Sequence, residues 1–469
     1  MIDKVKNIFF IGIKGVAMAN LAVILKKMGK TVTGADVSEE FITDYLLKSG
    51  HITYAVGFSP ADLPTDIDLV VYSAAHGGTS NPIVLEAEKR GVKIIAQTRL
   101  IGEMMEKFKT KIAVCGSHGK TNTASLLSFA LIKLGVRPSY LVGAPSFNNI
   151  SGGDLVGLDY FVVEADEYGV NPPEDKTPKF NYLNPDYILT TNIDLDHPDM
   201  YESLDDVSAA FRKFFAGKKL ILCGDDPPSE QFVNEISHDQ LKTYGYSARS
   251  DMLVKNVKTT ETDSSFDLYF NSKFLGQFSI KLFGKKIILN TVGAILLLQE
   301  LGFKSSEIKQ AIKDFSGAKR RFEKIFFANN TYLFDDYAHH PKEIETILSS
   351  ARERFPKRRI IVLFQPHTYS RTALFLSEFA KSLSLADYSI ILPIFASARE
   401  NPKNFALTSA DIVAKSQNDN LAAVETKSEG LNKLKDILRN GDVVFTLGAG
   451  DVYKLGDDII DLISKTKIV

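Results

Sequence analysis

Hydrophobic and polar residues follow two alternating patterns along most of the chain. Short apolar runs, at residues 7–13, 31–35 and 112–115 among others, have the length and composition of buried strands. Segments with apolar residues at helical spacing come between them, the first at residues 16–28. Strands that alternate with helices predict βαβ units, and such units build mostly parallel sheets covered by helices. We therefore predict an α/β protein.

Interruptions of this pattern predict domain boundaries. The polar segment 103–110 ends a helix, and a later helix ends at Gly317. The predicted domains are residues 1–106, 107–317 and 318–469. Short alternating runs between residues 246 and 285 predict a small set of antiparallel strands in the second domain. The proline-bearing segment 171–178 is predicted to be a surface loop.

The segment at residues 113–124, A-V-C-G-S-H-G-K-T-N-T-A, carries the most specific chemistry. Its apolar run should lead through a glycine-flanked turn into a helix that begins near Lys120. Gly116 and Gly119 allow the backbone to approach a phosphate closely, and Lys120 adds positive charge beside the free N–H groups of the helix end. Thr121 offers a hydroxyl group to a phosphate-bound magnesium ion. The segment predicts an ATP-binding loop of the short G-x-x-G-K-T form.

Acidic segments follow two later strands of the same predicted domain. E-A-D-E at residues 164–167 comes after the strand at 160–163, and T-N-I-D-L-D-H at 191–197 comes after the strand at 187–190. Open α/β sheets place their ligands at the carboxyl ends of parallel strands. Carboxylates and a neutral imidazole near a triphosphate suit a divalent cation, whereas acidic clusters elsewhere are usually solvated surface.

The first strand and helix are joined by the turn G-I-K-G-V-A-M at residues 12–18. It resembles the glycine-rich turn of dinucleotide-binding domains, but Ala17 replaces the third glycine and Lys14 lies inside. Asp36, at the end of the second strand, is placed like a ribose-binding acid. Two interpretations of the turn stay open: it binds a nucleotide, or it is a tight turn without a ligand. A third interpretation concerns the whole protein, which would be a nicotinamide-dependent dehydrogenase. The last would leave the ATP-binding loop and both acidic segments without a role.

Three polar motifs follow in the last third of the chain. They are K-R-R-F-E at 319–323, D-D-Y-A-H-H-P at 335–341 and Q-P-H-T-Y-S-R at 365–371, and the first two flank a predicted strand region at 326–334. Arginine, aspartate and histidine side chains at successive strand ends predict an anion-binding face, although single histidines are more often structural.

Composition fits a large globular protein of several domains. The 469 residues are 44% hydrophobic and 24% charged. Lys and Arg number 56 against 57 Asp and Glu, for a net charge of −1, so nucleic acid is not expected as a partner. Two scattered cysteines, Cys115 and Cys223, are too few for a disulfide framework or a zinc site and fit a reducing cytoplasm. No run approaches the roughly 20 apolar residues of a membrane span, so a membrane partner is not expected.

In this order, the motifs resemble the ATP-dependent Mur ligases of peptidoglycan synthesis, from Ile8 to about Leu455. L-G-A-G-D-V-Y-K-L near the end of the chain belongs to the same set. The resemblance implies a Rossmann-like N-terminal domain that binds a UDP-sugar and a Rossmann-like C-terminal domain that brings the amino acid. Between them it implies a P-loop ATPase-like central domain with a mostly parallel sheet and a small antiparallel sheet.

The resemblance also implies a reaction. ATP would phosphorylate the carboxylate of UDP-N-acetylmuramate, and the amine of L-alanine would attack the acyl phosphate to form an amide. ATP and Mg²⁺ are the implied cofactors, the cytoplasm is the implied location, and a monomer or homodimer is the implied assembly. Two alternatives stay open: a ligase that attaches a whole tripeptide during murein recycling, which the insert at 172–183 favours, and a noncatalytic nucleotide-binding regulator.

Site residues are carried over at the positions that match the family's motifs. The implied catalytic residues are Lys120, Glu164 and His197, and the implied magnesium ligands are Thr121, Glu164 and His197. The implied nucleotide contacts are Gly116, Ser117, His118, Gly119, Lys120, Thr121, Asn122, Asn290, Arg321 and Asp336. The implied substrate contacts are Gly12, Lys14, Gly15, Asp36, Ser73, His339, His367 and Arg371.

Three positions depart from the family's pattern. The usual G-x-H-N-x-x-N reads G-K-K-I-I-L-N at residues 284–290, which leaves Asn290 alone for the adenine contact. Lys14 replaces a glycine near the expected diphosphate, where it could supply charge or block the turn. Thr368 stands where alanine-adding members usually have arginine.

Overall fold

The computed structural model of the protein describes residues 2–197, 199–396, 400 and 402–465. Three large sheets, built mainly from parallel strands, are covered by helices. The α/β class predicted from the alternating patterns is confirmed. Met1–Lys258 and Asp263–Ala318 form one compact unit, which contains the first two sheets. Thr259–Thr262 and Lys319–Val469 form the second unit, which contains the third sheet.

The first sheet has five parallel strands in the order β3-β2-β1-β4-β5. Its strands are β1 (Asn7–Ile11), β2 (Thr31–Asp36), β3 (Thr53–Val56), β4 (Leu69–Tyr72) and β5 (Lys93–Ala96). Its helices are α1 (Val16–Lys27), α2 (Asp44–Ser49), α3 (Pro82–Lys89) and α4 (Gln97–Met105). The strand order reverses between β1 and β4, and doubly wound sheets bind their ligands in the crevice outside that point.

The second sheet has ten strands in the order β17-β16-β15-β14-β13-β12-β6-β9-β7-β8, and β10 pairs with β11 in a separate hairpin. The strands are β6 (Thr110–Cys115), β7 (Ser139–Phe147), β8 (Ile150–Asp154), β9 (Tyr160–Glu164), β10 (Gly169–Asn171), β11 (Asp175–Pro178), β12 (Tyr187–Thr190), β13 (Lys219–Cys223), β14 (Leu241–Gly245), β15 (Met252–Thr259), β16 (Ser264–Phe270) and β17 (Lys273–Ile280). The helices are α5 (Lys120–Lys133), α6 (Leu204–Phe215), α7 (Glu230–Glu235), α8 (Lys285–Glu300) and α9 (Ser305–Ile312). The expected antiparallel strands are present as the β16–β17 pair, and they continue the edge of this sheet.

The third sheet has six strands in the order β18-β19-β23-β20-β21-β22, and every pair except β18–β19 is parallel. The strands are β18 (Glu323–Ala328), β19 (Thr331–Asp336), β20 (Ile360–Phe364), β21 (Tyr388–Ile391), β22 (Leu421–Ala423) and β23 (Val443–Leu447). The helices are α10 (Pro341–Arg354), α11 (Tyr369–Leu374), α12 (Leu376–Leu383), α13 (Ala410–Val413), α14 (Lys427–Ile437) and α15 (Gly456–Lys465).

Strand β6 lies between β9 and β12, and this register positions the central site. Val114 pairs with Glu164 on one side and with Leu189 on the other. The loops that follow the three strands therefore leave the same edge of the sheet side by side. Helix α5 starts at Lys120, as the glycine turn predicts, and its Leu126, Leu127 and Ala130 are buried in the core.

The strand region predicted at 326–334 is confirmed and consists of two strands. β18 and β19 form a hairpin around Asn329 and Asn330, whose φ angles of 49° and 55° are those of a tight two-residue turn. One local prediction was wrong: the segment 171–178 was expected as a loop, but residues at both of its ends pair in the β10–β11 hairpin.

Within the described ranges, no helix combines the length and the hydropathy that crossing a bilayer requires.

Candidate active site

The loop between β6 and α5 contains two glycines that no other residue could replace without strain. Gly116 has φ 122° and Gly119 has φ 82°, both in the region that favours glycine. A Cβ atom on Gly116 would lie 2.2 Å from Thr191 Oγ1, and one on Gly119 would lie 2.4 Å from Asn290 Nδ2. The backbone therefore passes these neighbours too closely to leave room for a side chain.

The loop after β12 holds this turn in shape. Backbone N–H groups of Ser117 and His118 donate to the main-chain and side-chain oxygens of Asn192, each at 3.0 Å. The Thr191 hydroxyl donates to His118 O at 2.6 Å, and the Ser117 hydroxyl donates to Asp194 O at 3.0 Å. The turn is thus held by hydrogen bonds from the neighbouring loop.

Lys120 begins α5 and turns its ammonium group back into the loop. Its Nζ donates to Gly116 O at 2.7 Å, to Ser117 O at 3.3 Å and to Glu167 Oε2 at 2.8 Å. Burial acts to lower the pKa of Lys120, but Glu167 and its neighbouring carboxylates outweigh it and raise the pKa above the usual value. The lysine is therefore charged at physiological pH.

Thr121 and Glu164, which the sequence predicts as oxygen ligands, lie in contact with each other. The Thr121 hydroxyl donates to Glu164 Oε1 at 3.1 Å, and the other carboxylate oxygen accepts the backbone N–H of Gly143 at 2.8 Å. A Cβ atom on Gly143 would lie 2.5 Å from Glu164 Oε2, so this glycine is needed for the contact. No pattern in the sequence pointed to Gly143, which lies on β7.

Asp166, Glu167 and His197 bring one ligand atom each within 4.8 Å of one another. Glu167 is 1% exposed, and its Oε1 has no hydrogen-bond partner. The His197 ring packs edge-on against Tyr168, with centroids 4.9 Å apart. Burial acts to raise the pKa of Asp166, but Lys179 and Lys120 outweigh it and lower the pKa. A buried carboxylate oxygen that accepts no hydrogen bond, next to a second carboxylate and an imidazole, fits a hard divalent cation such as Mg²⁺.

The two predicted asparagine contacts have different surroundings. Asn122 Oδ1 accepts the backbone N–H of Ala318 at 2.9 Å, which ties α5 to the end of the first unit. Asn290, on α8, places its amide against Gly119 of the phosphate loop. Their roles in nucleotide binding stay predictions.

Gly12, Ser73 and Asp36 meet at the carboxyl edge of the first sheet, where the strand order reverses. A Cβ atom on Gly12 would lie 3.9 Å from Ser73 Oγ and 3.0 Å from His76 Cδ2. His76 Nε2 lies 3.6 Å from Asp36 Oδ1. Sequence reasoning missed His76, because an isolated histidine in a loop carries no pattern.

Lys14 is buried against the segment that follows β2. It is 2% exposed, and its Nζ donates to the carbonyl oxygens of Val37 and Glu39, each at 2.9 Å. Its backbone N–H and that of Val37 donate to the Asp36 carboxylate at 2.6 and 2.7 Å. Lys14 thus fastens the segment after β2 to the first turn, and contact with a diphosphate stays a prediction for Lys14 and Gly15.

The second unit holds the remaining predicted residues. Asp336, at the end of β19, accepts the backbone N–H groups of Phe322 and Ala338 at 2.6 and 2.7 Å. Burial raises its pKa to about 7, although Arg321 opposes this shift. Arg320 and Phe322 have φ angles of 60° and 49°, in a region that costs about 1–3 kcal/mol for residues other than glycine. Strain of this kind often marks a ligand site.

His339, His367 and Arg371 follow β19 and β20 in that unit. The rings of His339 and His367 lie edge to face with centroids 5.9 Å apart, and His339 Nδ1 lies 3.0 Å from Tyr337 O. Burial lowers the pKa of His339, and the nearby Arg371 adds to this shift. Thr368, the position that departs from the family's pattern, has φ 70° and caps α11.

Family models match nearly the whole chain. The model described as "Mur ligase family, catalytic domain" matches residues 7–109, "Mur ligase middle domain" matches residues 114–298, and "Mur ligase, glutamate ligase domain" matches residues 320–450. UDP-N-acetylmuramate–L-alanine ligase of Desulfitobacterium hafniense is 36% identical over 464 residues, which cover 97% of this chain and 99% of the relative. The ligase of the same name from Caldanaerobacter subterraneus is 36% identical over 471 residues, 98% of each protein.

Solved structures of related ligases also match nearly the whole chain. UDP-N-acetylmuramate–alanine ligase from Thermotoga maritima superposes with a TM-score of 0.81 at 25% identity and covers 98% of this chain and 100% of its own. A murein peptide ligase from Psychrobacter arcticus shares the fold, with a TM-score of 0.73 at 22% identity over 99% of this chain and 100% of its own. The phosphate loop, the acidic edge beside it and these full-length matches lead to one conclusion: the chain belongs to the Mur ligase family.

Proposed function

We propose that the protein is an ATP-dependent ligase that joins UDP-N-acetylmuramate to L-alanine through an acyl phosphate, in cytoplasmic peptidoglycan precursor synthesis. The observation that carries the proposal is the convergence of Lys120, Thr121, Glu164 and His197 at the ends of three adjacent strands. Relatives that bear the name UDP-N-acetylmuramate–L-alanine ligase, at 36% identity over almost the full length, support the choice of substrates.

Lys120 is the group that would neutralise the phosphoryl group as it moves from ATP to the muramoyl carboxylate. Thr121 and Glu164 would hold one Mg²⁺, and His197 with Asp166 and Glu167 would hold a second. A magnesium ion bound there would balance charge on the phosphate oxygens. The loop braced by Asn192 would hold the triphosphate in line with the carboxylate, because its backbone is already fixed.

The substrates are proposed to bind at the two other sheets. Gly12, Gly15, Asp36 and Ser73 lie where a doubly wound sheet would take the UDP moiety. Arg321, Asp336, His339, His367 and Arg371 would serve ATP and the amino acid from the C-terminal domain. We propose domain limits of 1–106, 107–317 and 318–469, and a monomer or homodimer as the working form.

One experiment tests the reaction and the acceptor together. Purified protein is given ATP, Mg²⁺ and UDP-N-acetylmuramate with L-alanine, glycine, L-serine or the tripeptide of murein recycling, and phosphate release is followed. We expect release to be fastest with L-alanine and to require the UDP-sugar. Fastest release with tripeptide would reassign the acceptor, and ATP binding without release in any mixture would favour a noncatalytic regulator.

A further inference from the structure

One carboxylate, Glu167, connects the phosphate-loop lysine with the histidine of the neighbouring loop. Glu167 Oε2 accepts a hydrogen bond from Lys120 Nζ at 2.8 Å, while Oε1 lies 3.5 Å from His197 Nε2. The Tyr201 hydroxyl donates to the backbone carbonyl of Glu167 at 2.7 Å and holds this part of the chain in place. The family resemblance assigned no role to Glu167.

A buried carboxylate of this kind is costly unless it is paired. Glu167 is 1% exposed, and the cost of removing its charge from water is large without a partner. Among the described residues only Oε2 accepts a hydrogen bond, while Oε1 has the longer ion-pair contact with His197 at 3.5 Å. A carboxylate that served stability alone would be expected to have both oxygens hydrogen-bonded.

Lys120 is fully engaged in this state. A lysine ammonium has three N–H donors, and its three acceptors here are Gly116 O, Ser117 O and Glu167 Oε2. A phosphate oxygen can therefore reach the ammonium only by replacing one of them. Glu167 is the one charged acceptor of the three, so it is the strongest competitor of the incoming phosphate.

We propose that Glu167 is a positioning residue that holds Lys120 in a retracted state until a nucleoside triphosphate takes the ammonium from it. Released from Lys120, the carboxylate keeps its place beside His197 in the proposed metal site. The inference rests on the proposed ATP-dependent function and deepens it, because it identifies a contact of Lys120 that ATP binding must break.

Loss of the Glu167 charge should change ATP affinity and turnover in opposite directions. Glu167→Gln keeps the shape of the side chain and removes the negative charge that competes with phosphate for Lys120. ATP should then bind more tightly in the absence of metal, on the order of tenfold, since a charged hydrogen-bond partner has been lost. Turnover should fall by a similar factor or more, because His197 loses its charged neighbour. A residue with a purely structural role would weaken both.

The test measures binding of ATP in EDTA by calorimetry, so that metal ligation does not enter, and phosphate release in Mg²⁺. Asp166→Asn is the control for metal-free binding alone, because Asp166 belongs to the proposed metal site and its loss would also affect turnover. It removes the same charge from a carboxylate that is hydrogen-bonded to Lys179 at 2.8 Å and not to Lys120. Tighter metal-free binding by E167Q than by D166N, with turnover of E167Q slower than that of the parent protein, supports the proposal. Equal or weaker metal-free binding by E167Q overturns it, whereas absence of ATP binding by the parent protein would overturn the proposed function itself.

Two further variants test the proposal if E167Q folds poorly. Glu167→Asp keeps the charge but shortens the reach toward Lys120, and it should give a smaller gain in metal-free affinity. In a Lys120→Met background, either change at position 167 should have much less effect on ATP affinity. Without the lysine ammonium, the Glu167 carboxylate and the phosphate no longer compete for the same group. An undiminished effect in that background contradicts the proposal.

Discussion

The side-chain amide of Asn290 lies against Gly119, so that a Cβ atom on the glycine would lie 2.4 Å from Nδ2. Helix α8 and the phosphate loop are therefore in contact at the one asparagine that remains of the family's longer motif.

Gly119→Ala should weaken ATP binding and destabilise the first unit by about 1–3 kcal/mol, since it adds a clash to an unfavourable φ. Gly29→Ala is the matched control, because Gly29 has a similar φ of 81° but open space around it, against 82° at Gly119. Urea unfolding and ATP titration of both variants measure the difference. Equal effects would show that contact with Asn290 is unimportant.

Lys120→Ala should abolish phosphate release, with a loss of at least about 100-fold, and should also lower the stability of the first unit, because buried Glu167 loses its partner. Phosphate release falls because the lysine neutralises charge on the transferring group. Lys133→Ala, at the other end of the same helix, serves as the control. Phosphate release measured with all substrates gives the answer, and unchanged turnover in K120A would remove the residue from the mechanism.

His197→Ala should raise the concentration of Mg²⁺ needed for half-maximal rate by about tenfold, as expected when a metal ligand is lost. His238→Ala is the control, because His238 is an exposed histidine of the same unit. A magnesium titration of phosphate release distinguishes the two. Superimposable curves for H197A and the parent protein would argue against ligation.

His339 should titrate below the ordinary histidine pKa of 6.5, because its burial disfavours the charged form. Between its folded and unfolded pKa values the folded protein binds fewer protons, so its contribution to stability is present above pH 6.5 and is lost as the pH falls through the folded pKa. The Cε1–H signal that disappears in the NMR spectrum of His339→Gln should have a midpoint below 6.5. A midpoint at or above that value contradicts the expectation.

Sequence patterns predicted the βαβ architecture and the start of α5 because both depend on local periodicity and on glycine turns. They also placed Lys120, Thr121 and Glu164 in one site, since adjacent parallel strands end at the same edge of a sheet. They could not identify Gly143 or His76, whose importance comes from contacts across the fold. Glu167 was visible in the sequence as part of E-A-D-E, but its link to Lys120 depends on side-chain direction after β9, which no spacing rule gives.

Lys14 illustrates the same limit. Its position inside a glycine-rich turn suggested a charge facing the diphosphate, but the side chain can fold inward and satisfy its ammonium with the carbonyl groups of Val37 and Glu39. Sequence alone does not distinguish these two directions, because both keep the charge hydrogen-bonded.

The membership of Thr259–Thr262 in the second unit limits how the protein can be divided for expression. Arg358 donates to both carboxylate oxygens of Glu261, at 2.8 and 2.9 Å, and Arg354 donates to its backbone carbonyl. A fragment cut at Lys319 would lack these acceptors and would leave two guanidinium groups without them. Crystallisation or NMR fragments of the C-terminal region should therefore carry this tetrapeptide in trans or through a designed linker.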